Sequence, residues 1–229
     1  MSVLFDNVQV NIDPRSVTIG GSWEGGFEKP WSSELVKLCY DILPKDKQTT
    51  LVDIGANTGT FSLLPVCMPN LKIESFEPNP EVLEILKANI ALNKITGQVS
   101  VWDTALAETQ KDMEMKIPKN GESGFTCVGN PLRFNDYRTV QIRTMTLDDF
   151  TTFNNVDLIK IDTEGCEKFV LMGAKKIIEK FSPTLLVEYQ PKNTAQFDYK
   201  VEELDELLLS YGYKGTIVSE EDKLYRRTL

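Results

Sequence analysis

The sequence predicts an α/β domain in which helices cover both faces of a mostly parallel central sheet. After residue 30, short apolar runs typical of buried strands alternate with longer segments whose apolar residues recur at helical spacing. The first apolar run ends in a glycine-containing loop, as strands of parallel sheets commonly do before a helix. With 229 residues the chain can bury a substantial core. We expect an N-terminal appendage over residues 1–30 that packs on one domain over residues 31–229.

The domain begins with an alternation of helix and strand. Residues 31–43 carry apolar side chains at helical spacing and predict a helix. Residues 50–54 are a short apolar run and predict the first core strand. Helical spacing resumes over 60–68, and residues 72–77 predict the second strand.

The next elements are bounded by residues with strong local preferences. Asn79 is a good N-cap and Pro80 suits the first helical position, so a helix is expected over 80–92. Residues 99–106 predict a third strand. Short extended pieces separated by Gly, Asn and Pro predict a β-rich insertion over about 111–145.

The last third of the chain returns to the alternating pattern. Residues 156–161 predict the fourth core strand and residues 165–180 a helix. A fifth strand is expected over 184–188 and an amphipathic helix over 201–211. Two β-rich pieces around the sequence SEEDK predict a hairpin at the end of the sequence.

Composition excludes several classes of function. The chain has 34 acidic and 25 basic residues, a net charge of −9, which disfavours a nucleic-acid partner. It contains no histidine, so an imidazole base or a histidine metal ligand is excluded. No apolar run reaches the roughly 20 residues of a membrane span, and we see no secretory signal, so no membrane association and a cytoplasmic location are expected. Four scattered cysteines favour neither zinc nor a disulfide framework.

The loop after the first core strand is a candidate cofactor site. A glycine at position 55 allows a sharp turn and close approach of a ligand, and an asparagine at position 57 tolerates unusual backbone angles. In a doubly wound sheet, this first strand-to-helix turn is where a nucleotide-like cofactor docks. The predicted cofactor-binding residues of this loop are Asp53, Gly55, Asn57, Thr58 and Gly59.

An acidic residue at the next strand end strengthens this interpretation. Glu77 lies 22 residues after Gly55, where an acid that holds ribose hydroxyls is expected, and Asn79 follows it. A nicotinamide dinucleotide would favour G-x-G-x-x-G, but the loop has G-x-x-x-G with Asn57 at the middle position. S-adenosylmethionine has a sulfonium cation and no phosphate, so it suits a site that contains Asp53. We therefore predict S-adenosylmethionine as the cofactor.

The chain resembles the FkbM family of methyltransferases over roughly residues 28–215. The resemblance rests on LVDIGANTGTFSLL at 51–64, on ESFEPNPEVLEILKANIALN at 74–93, and on TMTLDDF at 144–150 followed by VDLIKIDTEGCEKFVLMGA at 156–174. The last block is the most family-specific. The resemblance implies a Rossmann-like class I methyltransferase fold, S-adenosylmethionine as the methyl donor, and O-methylation of a sugar, a glycan or a related hydroxylated metabolite. In such folds Asp103 and Thr104, after the third strand, would lie near the adenine ring.

Carboxylates near the predicted strand ends are candidates for the chemistry. Asp162 and Glu164 are the leading candidates to orient the acceptor hydroxyl and take its proton, because a sugar hydroxyl is a poor nucleophile. Lys160 could pair with them or lower a neighbouring pKa. Glu167 opens the next predicted helix and is more simply a solvated or helix-dipole partner. Glu188, at the end of the fifth strand, is a further catalytic candidate.

Three other residues are expected to contact the acceptor. Relatives often have a histidine two residues after the glutamate at position 188, where this chain has Gln190, which can orient a hydroxyl but cannot accept its proton. The resemblance also suggests that Glu28 and Trp31 cover the cofactor or the acceptor, as an acid and an indole ring suit a carbohydrate. The carboxylates at positions 162, 164 and 188 could hold Mg²⁺, but such groups do not require a metal, and none is predicted.

Several alternatives remain beside the sugar O-methyltransferase. One is an O-methyltransferase of a small metabolite that is not a sugar. Another is a scaffold that binds S-adenosylmethionine with little or no catalysis, which the missing histidine makes conceivable. N-methylation of bases is disfavoured because residues 162–165 read Asp-Thr-Glu-Gly rather than an Asn/Asp-Pro-Pro-aromatic loop. The glycine pattern likewise disfavours an NAD-dependent oxidoreductase.

Overall fold

The structure is a computed structural model that describes residues 2–5, 8–18, 34–119, 128, 135–150 and 153–228. Its helices are α1 Arg15–Thr18, α2 Glu34–Ile42, α3 Pro80–Leu92, α4 Glu167–Met172, α5 Lys175–Phe181, α6 Pro191–Thr194 and α7 Glu202–Ser210. Its strands are β1 Ser2–Phe5, β2 Val8–Asn11, β3 Thr49–Ile54, β4 Leu71–Phe76, β5 Val99–Trp102, β6 Ala105–Leu106, β7 Asp112–Pro118, β8 Tyr137–Met145, β9 Leu158–Ile161, β10 Thr184–Glu188, β11 Tyr213–Ile217 and β12 Asp222–Arg227. Within these residues, no helix is both long and apolar enough to cross a bilayer.

The central sheet has seven strands in the order β11-β12-β10-β9-β3-β4-β5. Strands β10, β9, β3, β4 and β5 run parallel to one another, whereas β12 is antiparallel to both of its neighbours. The prediction of a mostly parallel sheet is confirmed. The predicted hairpin is confirmed as well, and it extends this sheet beyond β10.

Helices cover both faces of the sheet, as predicted. Alternate residues of β3 point to opposite faces, so Leu51 joins one apolar cluster while Val52 and Ile54 join the other. Helices α2 and α3 pack on the Leu51 face, and α4, α5 and α7 pack on the opposite face. All six residues of β3 are buried, as expected of a central strand in a parallel sheet.

The β-rich segment forms a second, smaller sheet. Strands β7 and β8 are an antiparallel pair, and β6 adds to β8 in parallel. The prediction of one strand over 99–106 was therefore wrong. The chain leaves the main sheet after Trp102, passes through Asp103 and Thr104, and re-enters β structure as β6 in the other sheet.

The predicted helix over 60–68 is instead a series of turns that ends in a short 3₁₀ helix, Leu64–Val66. Pro65 explains the difference, because a proline has no amide hydrogen to donate and its ring clashes with the preceding helical turn. The amides of Leu64 and Val66 bond three residues back, at 3.1 Å to the carbonyls of Phe61 and Leu63.

The predicted helix over 165–180 is divided into α4 and α5 at Gly173. A side chain at Gly173 would overlap with the carbonyl oxygen of Ala107, so the backbone of α4 passes directly against another loop. The carboxylate of Asp148 accepts the amides of Lys176 and Ile177, at 3.0 and 2.9 Å, and so caps the new helix α5. The amide of Asp148 also donates to the carbonyl of Gly173 at 3.0 Å, which links the sequences TLDD and LMGA directly.

The N-terminal segment lies against the Leu51 face of the domain. Strands β1 and β2 form a two-stranded antiparallel sheet. Val10 and Ile12 are fully buried in the same apolar cluster as α2 and α3. Asn89 of α3 and Asn93, the C-cap of this helix, hold the segment by hydrogen bonds. Oδ1 of Asn89 accepts the amide of Asp13, and Oδ1 of Asn93 accepts the amide of Asn11.

Candidate active site

A row of buried polar side chains underlies the loop after β3. The strand register places Asp53 beside Ser75 of β4 and beside Lys160 of β9, all on the same face of the sheet. The hydroxyl of Ser62 donates to Asp53 Oδ2 at 2.6 Å and lies 2.8 Å from Ser75 Oγ. This register brings a carboxylate, a lysine and two hydroxyls together below the carboxyl ends of the strands.

Lys160 lies beneath the loop. Its Nζ donates to the Gly55 carbonyl at 2.7 Å and lies 3.4 Å from Asp53 Oδ1 and 3.5 Å from Asp162 Oδ2. Burial opposes its charge, but the carboxylates of Asp162 and Asp53 outweigh that effect and raise the pKa of Lys160. The sequence suggested that Lys160 pairs with Asp162, and the two groups are indeed within ion-pair distance. The hydrogen bond from Lys160 to the Gly55 carbonyl of the cofactor loop was not predicted.

The backbone of the loop needs residues that tolerate positive φ. Gly55 has a φ of +74°, Asn57 of +50° and Gly59 of +102°. A Cβ at position 55 would overlap with the carbonyl oxygen of Asp162, so the loops after β3 and β9 are in direct backbone contact. A Cβ at Gly59 would lie 2.7 Å from Leu86 Cδ1, which shows that this glycine permits the close approach of α3.

Glu77 fastens the loop to the end of β4. Its Oε2 accepts the amide of Asn57 at 2.9 Å and its Oε1 accepts the amide of Asn79 at 2.8 Å. Burial raises the pKa of Glu77 to about 7, although these two amides favour the ionised form. Asn79 caps α3 as predicted, because its side chain accepts the amide of Glu81 at 3.0 Å.

The other predicted cofactor residues lie around this centre. Thr58 is buried, and its carbonyl accepts the side-chain amide of Asn89 at 2.7 Å. The amide of Glu77 donates to the carbonyl of Trp102 at 3.0 Å, which places Asp103 and Thr104 beside Glu77. Asp103 is exposed and Thr104 is half-buried.

Three carboxylates converge at the ends of β9 and β10. The pairing of Val187 with Ile161 puts Glu188 next to Asp162, and Glu164 follows in the loop. One oxygen from each of these three carboxylates lies within 4.8 Å of the other two. The Asp162 side chain is 46% exposed, whereas Glu188 is only 8% exposed, so Asp162 can be reached from solvent and Glu188 is nearly enclosed.

Asn193 of α6 joins two of these carboxylates and was not among the residues predicted from the sequence. Its Nδ2 donates to Glu188 Oε1 at 2.6 Å and to Glu164 Oε2 at 2.9 Å. Burial, reinforced by the charges of Asp162, Glu167 and Glu164, raises the pKa of Glu188 well above its ordinary value. An asparagine in a short polar stretch has no periodic pattern that would single it out.

Glu167 is structural rather than a solvated partner of the helix dipole. It is 1% exposed, and its Oε1 accepts the amide and the hydroxyl of Thr163 and the amide of Gly165, at 2.9, 2.8 and 3.1 Å. Burial raises the pKa of Glu167. These bonds hold the loop in which Glu164 has a φ of +55°.

The remaining candidates fall into two groups. Gln190 is the N-cap of α6, and its side-chain oxygen accepts the amide of Lys192. Its Nε2 donates to Glu221 Oε1 at 2.5 Å, so both the oxygen and the nitrogen of this side chain already bond within the protein. The predicted acceptor-contact residues Glu28 and Trp31 lie outside the residues that the structure describes.

Comparison with known folds defines the class of this domain. The chain has a TM-score of 0.55 with the crystal structure of methyltransferase FkbM from Methylobacillus flagellatus KT, at 18% identity over 79% of this chain and 44% of that one. The TM-score is 0.50 with a SAM-dependent methyltransferase from Aquifex aeolicus, at 12% identity over 93% of both chains. The fold is that of the class I methyltransferases.

The sequence comparison identifies the family. Residues 53–214 match the methyltransferase FkbM domain, and the chain belongs to this family. Methyltransferase sdnD of Sordaria araneosa is 28% identical over 165 residues, which cover 59% of this chain and 64% of that protein. Methyltransferase 1 of Beauveria bassiana (strain ARSEF 2860) is 26% identical over 155 residues, covering 59% of this chain and 62% of that protein, so the match spans less than two thirds of either relative.

A further relative matches over more of its length. The 2-O-methyltransferase NoeI of Sinorhizobium fredii (strain NBRC 101917 / NGR234) is 24% identical over 226 residues, which cover 87% of this chain and 90% of that protein.

Proposed function

We propose that this protein transfers a methyl group from S-adenosylmethionine to a hydroxyl of a sugar, a glycan or a glycosylated metabolite. The proposal depends on one observation, which is that a candidate donor-binding loop and a cluster of carboxylates lie side by side. The loop anchored by Glu77 adjoins the carboxylate cluster of Asp162, Glu164 and Glu188, through the contact of Gly55 with the Asp162 backbone. A donor held by the first feature would present its reactive end to an acceptor held by the second.

The residues of the loop suit the donor. Each oxygen of Glu77 accepts one backbone amide and keeps a lone pair that can accept a ribose hydroxyl. The sulfonium charge would be attracted by the carboxylates of Asp53 and Asp162. The same carboxylates would repel a pyrophosphate, which disfavours a dinucleotide in this crevice.

Asp162 is the group best placed to accept a proton from the acceptor. When bound, S-adenosylmethionine supplies an electrophilic methyl group whose bond to sulfur breaks with the electron pair remaining on sulfur. Asp162, half-exposed at the crevice and next to Lys160, accepts the hydroxyl proton as the oxygen–carbon bond forms. Asp162 lies 3.5 Å from Lys160 Nζ, and a carboxylate can act as a general base, so the reaction does not require a histidine.

The nature of the acceptor is supported by the polar groups around Asp162. The carboxylates of Asp162 and Glu164 can accept hydrogen bonds from adjacent hydroxyls, which sugars offer. The relative NoeI is by its name a 2-O-methyltransferase. The acidic balance of the chain, a net charge of −9, disfavours a nucleic-acid acceptor.

Transfer from labelled S-adenosylmethionine to a panel of glycans and hydroxylated metabolites tests the proposal. In Asp162→Asn we expect donor affinity to be largely retained, because Asp53 and Glu77 remain, and a transfer rate lower by about a hundredfold or more, because the amide cannot take the proton. Asp41→Asn, at an exposed position on α2, is the matched control.

Full activity of Asp162→Asn would remove this residue from the mechanism. Donor binding without transfer to any acceptor would favour the scaffold alternative. Transfer only to acceptors that are not sugars would overturn the proposed acceptor class and favour the alternative of a small metabolite.

A further inference from the structure

We propose that Asp162, Glu164, Glu188 and Asn193 form a binding site for one divalent metal ion that prefers oxygen ligands, such as Ca²⁺, Mg²⁺ or Mn²⁺. No metal was expected from the sequence alone, and the geometry of the cluster changes that expectation. The site itself stands on the geometry of the cluster. Its role toward an acceptor rests on the proposed function.

The spacing of the carboxylates fits a single ion. Oxygens on opposite sides of Ca²⁺, each at about 2.3–2.6 Å, lie about 4.6–5.2 Å apart. The three carboxylate oxygens lie within 4.8 Å of one another, so one Ca²⁺ can contact all three. Opposite ligands of Mg²⁺ are separated by about 4.2 Å, and a closure of roughly half an ångström would admit that ion.

Two buried oxygen atoms at this cluster have no hydrogen-bond partner among the residues that the structure describes. Asn193 is 1% exposed, and its amide contacts both Glu164 and Glu188 through Nδ2, yet its Oδ1 accepts no hydrogen bond from that part of the chain. Oε2 of Glu188 is buried and unpartnered as well. Buried polar atoms are seldom left without a partner. Amide and carboxylate oxygens are ligands that hard cations prefer.

The charges around the cluster also favour a cation. Asp222 lies opposite Glu188 in the strand register and adds a further carboxyl group. Among the described residues, the ammonium group within ion-pair distance of the cluster is that of Lys160, which is shared between Asp162 and Asp53. These carboxylates would attract a divalent ion, whereas a proton shared between Glu188 and Glu167 is the competing arrangement.

A metal ion here would serve the proposed reaction. It would lie at the carboxyl ends of β9 and β10, where it can coordinate an acceptor hydroxyl and make its proton more acidic. Asp162 would ligate through one oxygen, and its second oxygen could receive that proton. This arrangement gives a chain without histidine a way to activate a weak nucleophile.

The purified full chain is first treated with a chelator to remove bound metal and is then titrated with Mn²⁺. Electron paramagnetic resonance measures the free Mn²⁺ at each step and so tests the site. We expect one saturable site per chain, with Mg²⁺ and Ca²⁺ competing for it. Glu188→Gln and Asn193→Ala should each weaken Mn²⁺ binding at least tenfold. Glu203→Gln, which changes a carboxylate of α7 that pairs with Lys168, is the control and should bind as the unaltered chain does.

Thermal unfolding of the same samples shows whether each variant is folded. If Glu188→Gln does not fold, Asp162→Asn at its half-exposed position replaces it. Absence of saturable Mn²⁺ binding, or unchanged binding in the folded variants, would overturn the site. Binding of S-adenosylmethionine is measured separately on the chelated protein, so failure of the proposed function and failure of the metal site give different results.

Discussion

Glu77 is a buried carboxyl group whose two oxygens accept amides from two different segments. The amide of Asn57 belongs to the loop after β3, and that of Asn79 begins α3. A single side chain therefore sets the distance between the loop and the helix. Lys160 favours its ionised form, whereas burial and Asp53 favour the protonated form.

The raised pKa of Glu77 predicts a pH dependence of donor binding. Ribose hydroxyls need acceptor oxygens, so binding requires the carboxylate and releases a proton wherever the free protein holds one. Because the pKa is about 7, affinity should rise with pH up to about 7 and then level off. Calorimetry between roughly pH 5 and pH 9 measures this, and Glu77→Gln should show weak binding without the same slope. An unaltered slope in that variant would assign the titration to another group.

Gly55 is the residue of the loop that is least replaceable. Gly55→Ala should destabilise the fold by about 2 kcal/mol or more and impair donor binding, because φ is +74° and the new Cβ would overlap with Asp162. Gly97→Ala is the matched control, since no atom of the described residues lies within 4 Å of a Cβ there. Urea unfolding and donor calorimetry measure both effects. Equal stability of the two variants would contradict the close contact of the two loops.

At the scale of elements, α3 connects the N-terminal segment to the cofactor loop. Asn89 Nδ2 donates to the carbonyl of Thr58 at 2.7 Å and to the hydroxyl of Ser16 at 2.9 Å, while Oδ1 accepts the amide of Asp13 at 2.6 Å. Asn93, one turn later, exchanges two bonds with the backbone of Asn11 but none with the loop. Both asparagines therefore hold the N-terminal segment, but only Asn89 also holds the cofactor loop.

This difference predicts distinct effects of two substitutions. Asn89→Ala and Asn93→Ala should each destabilise the protein by about 1–3 kcal/mol, because each removes hydrogen bonds that are buried or partly buried. Only Asn89→Ala should also raise the dissociation constant of S-adenosylmethionine, by several-fold or more, because the Thr58 carbonyl loses its partner. Denaturation and calorimetry on both variants are the measurements. An equal loss of affinity in Asn93→Ala would mean that the N-terminal segment acts on the loop by another route.

At the scale of the whole molecule, the sequence predicted the parts of the fold that depend on local patterns. Helix caps predicted the helix that begins after Asn79. Apolar runs predicted the strands over 50–54 and 184–188, and a turn between two β-rich pieces predicted the hairpin. The order of strands in the sheet depends on long-range pairing, which such patterns do not encode. The same limit applies to the row formed by Asp53, Ser75 and Lys160, because only the register brings these side chains together.

The errors have local causes that can be named. Pro65 interrupts a helical pattern that its apolar neighbours suggested. Gly173 permits a break because another loop packs against it, and a single sequence does not show that loop. Asn193 has no sequence signal, and its importance comes from the two carboxylates that it contacts in space. Glu167 was expected to be solvated, but tertiary contacts bury it.

A crystal structure of the protein with S-adenosylmethionine tests the central claim most directly. We expect the adenosyl group over the loop from Gly55 to Gly59, with ribose hydroxyls within hydrogen-bond distance of the Glu77 carboxylate and the methyl group directed toward Asp162. Donor density at another face of the sheet, or an empty crevice at saturating donor, would contradict this account.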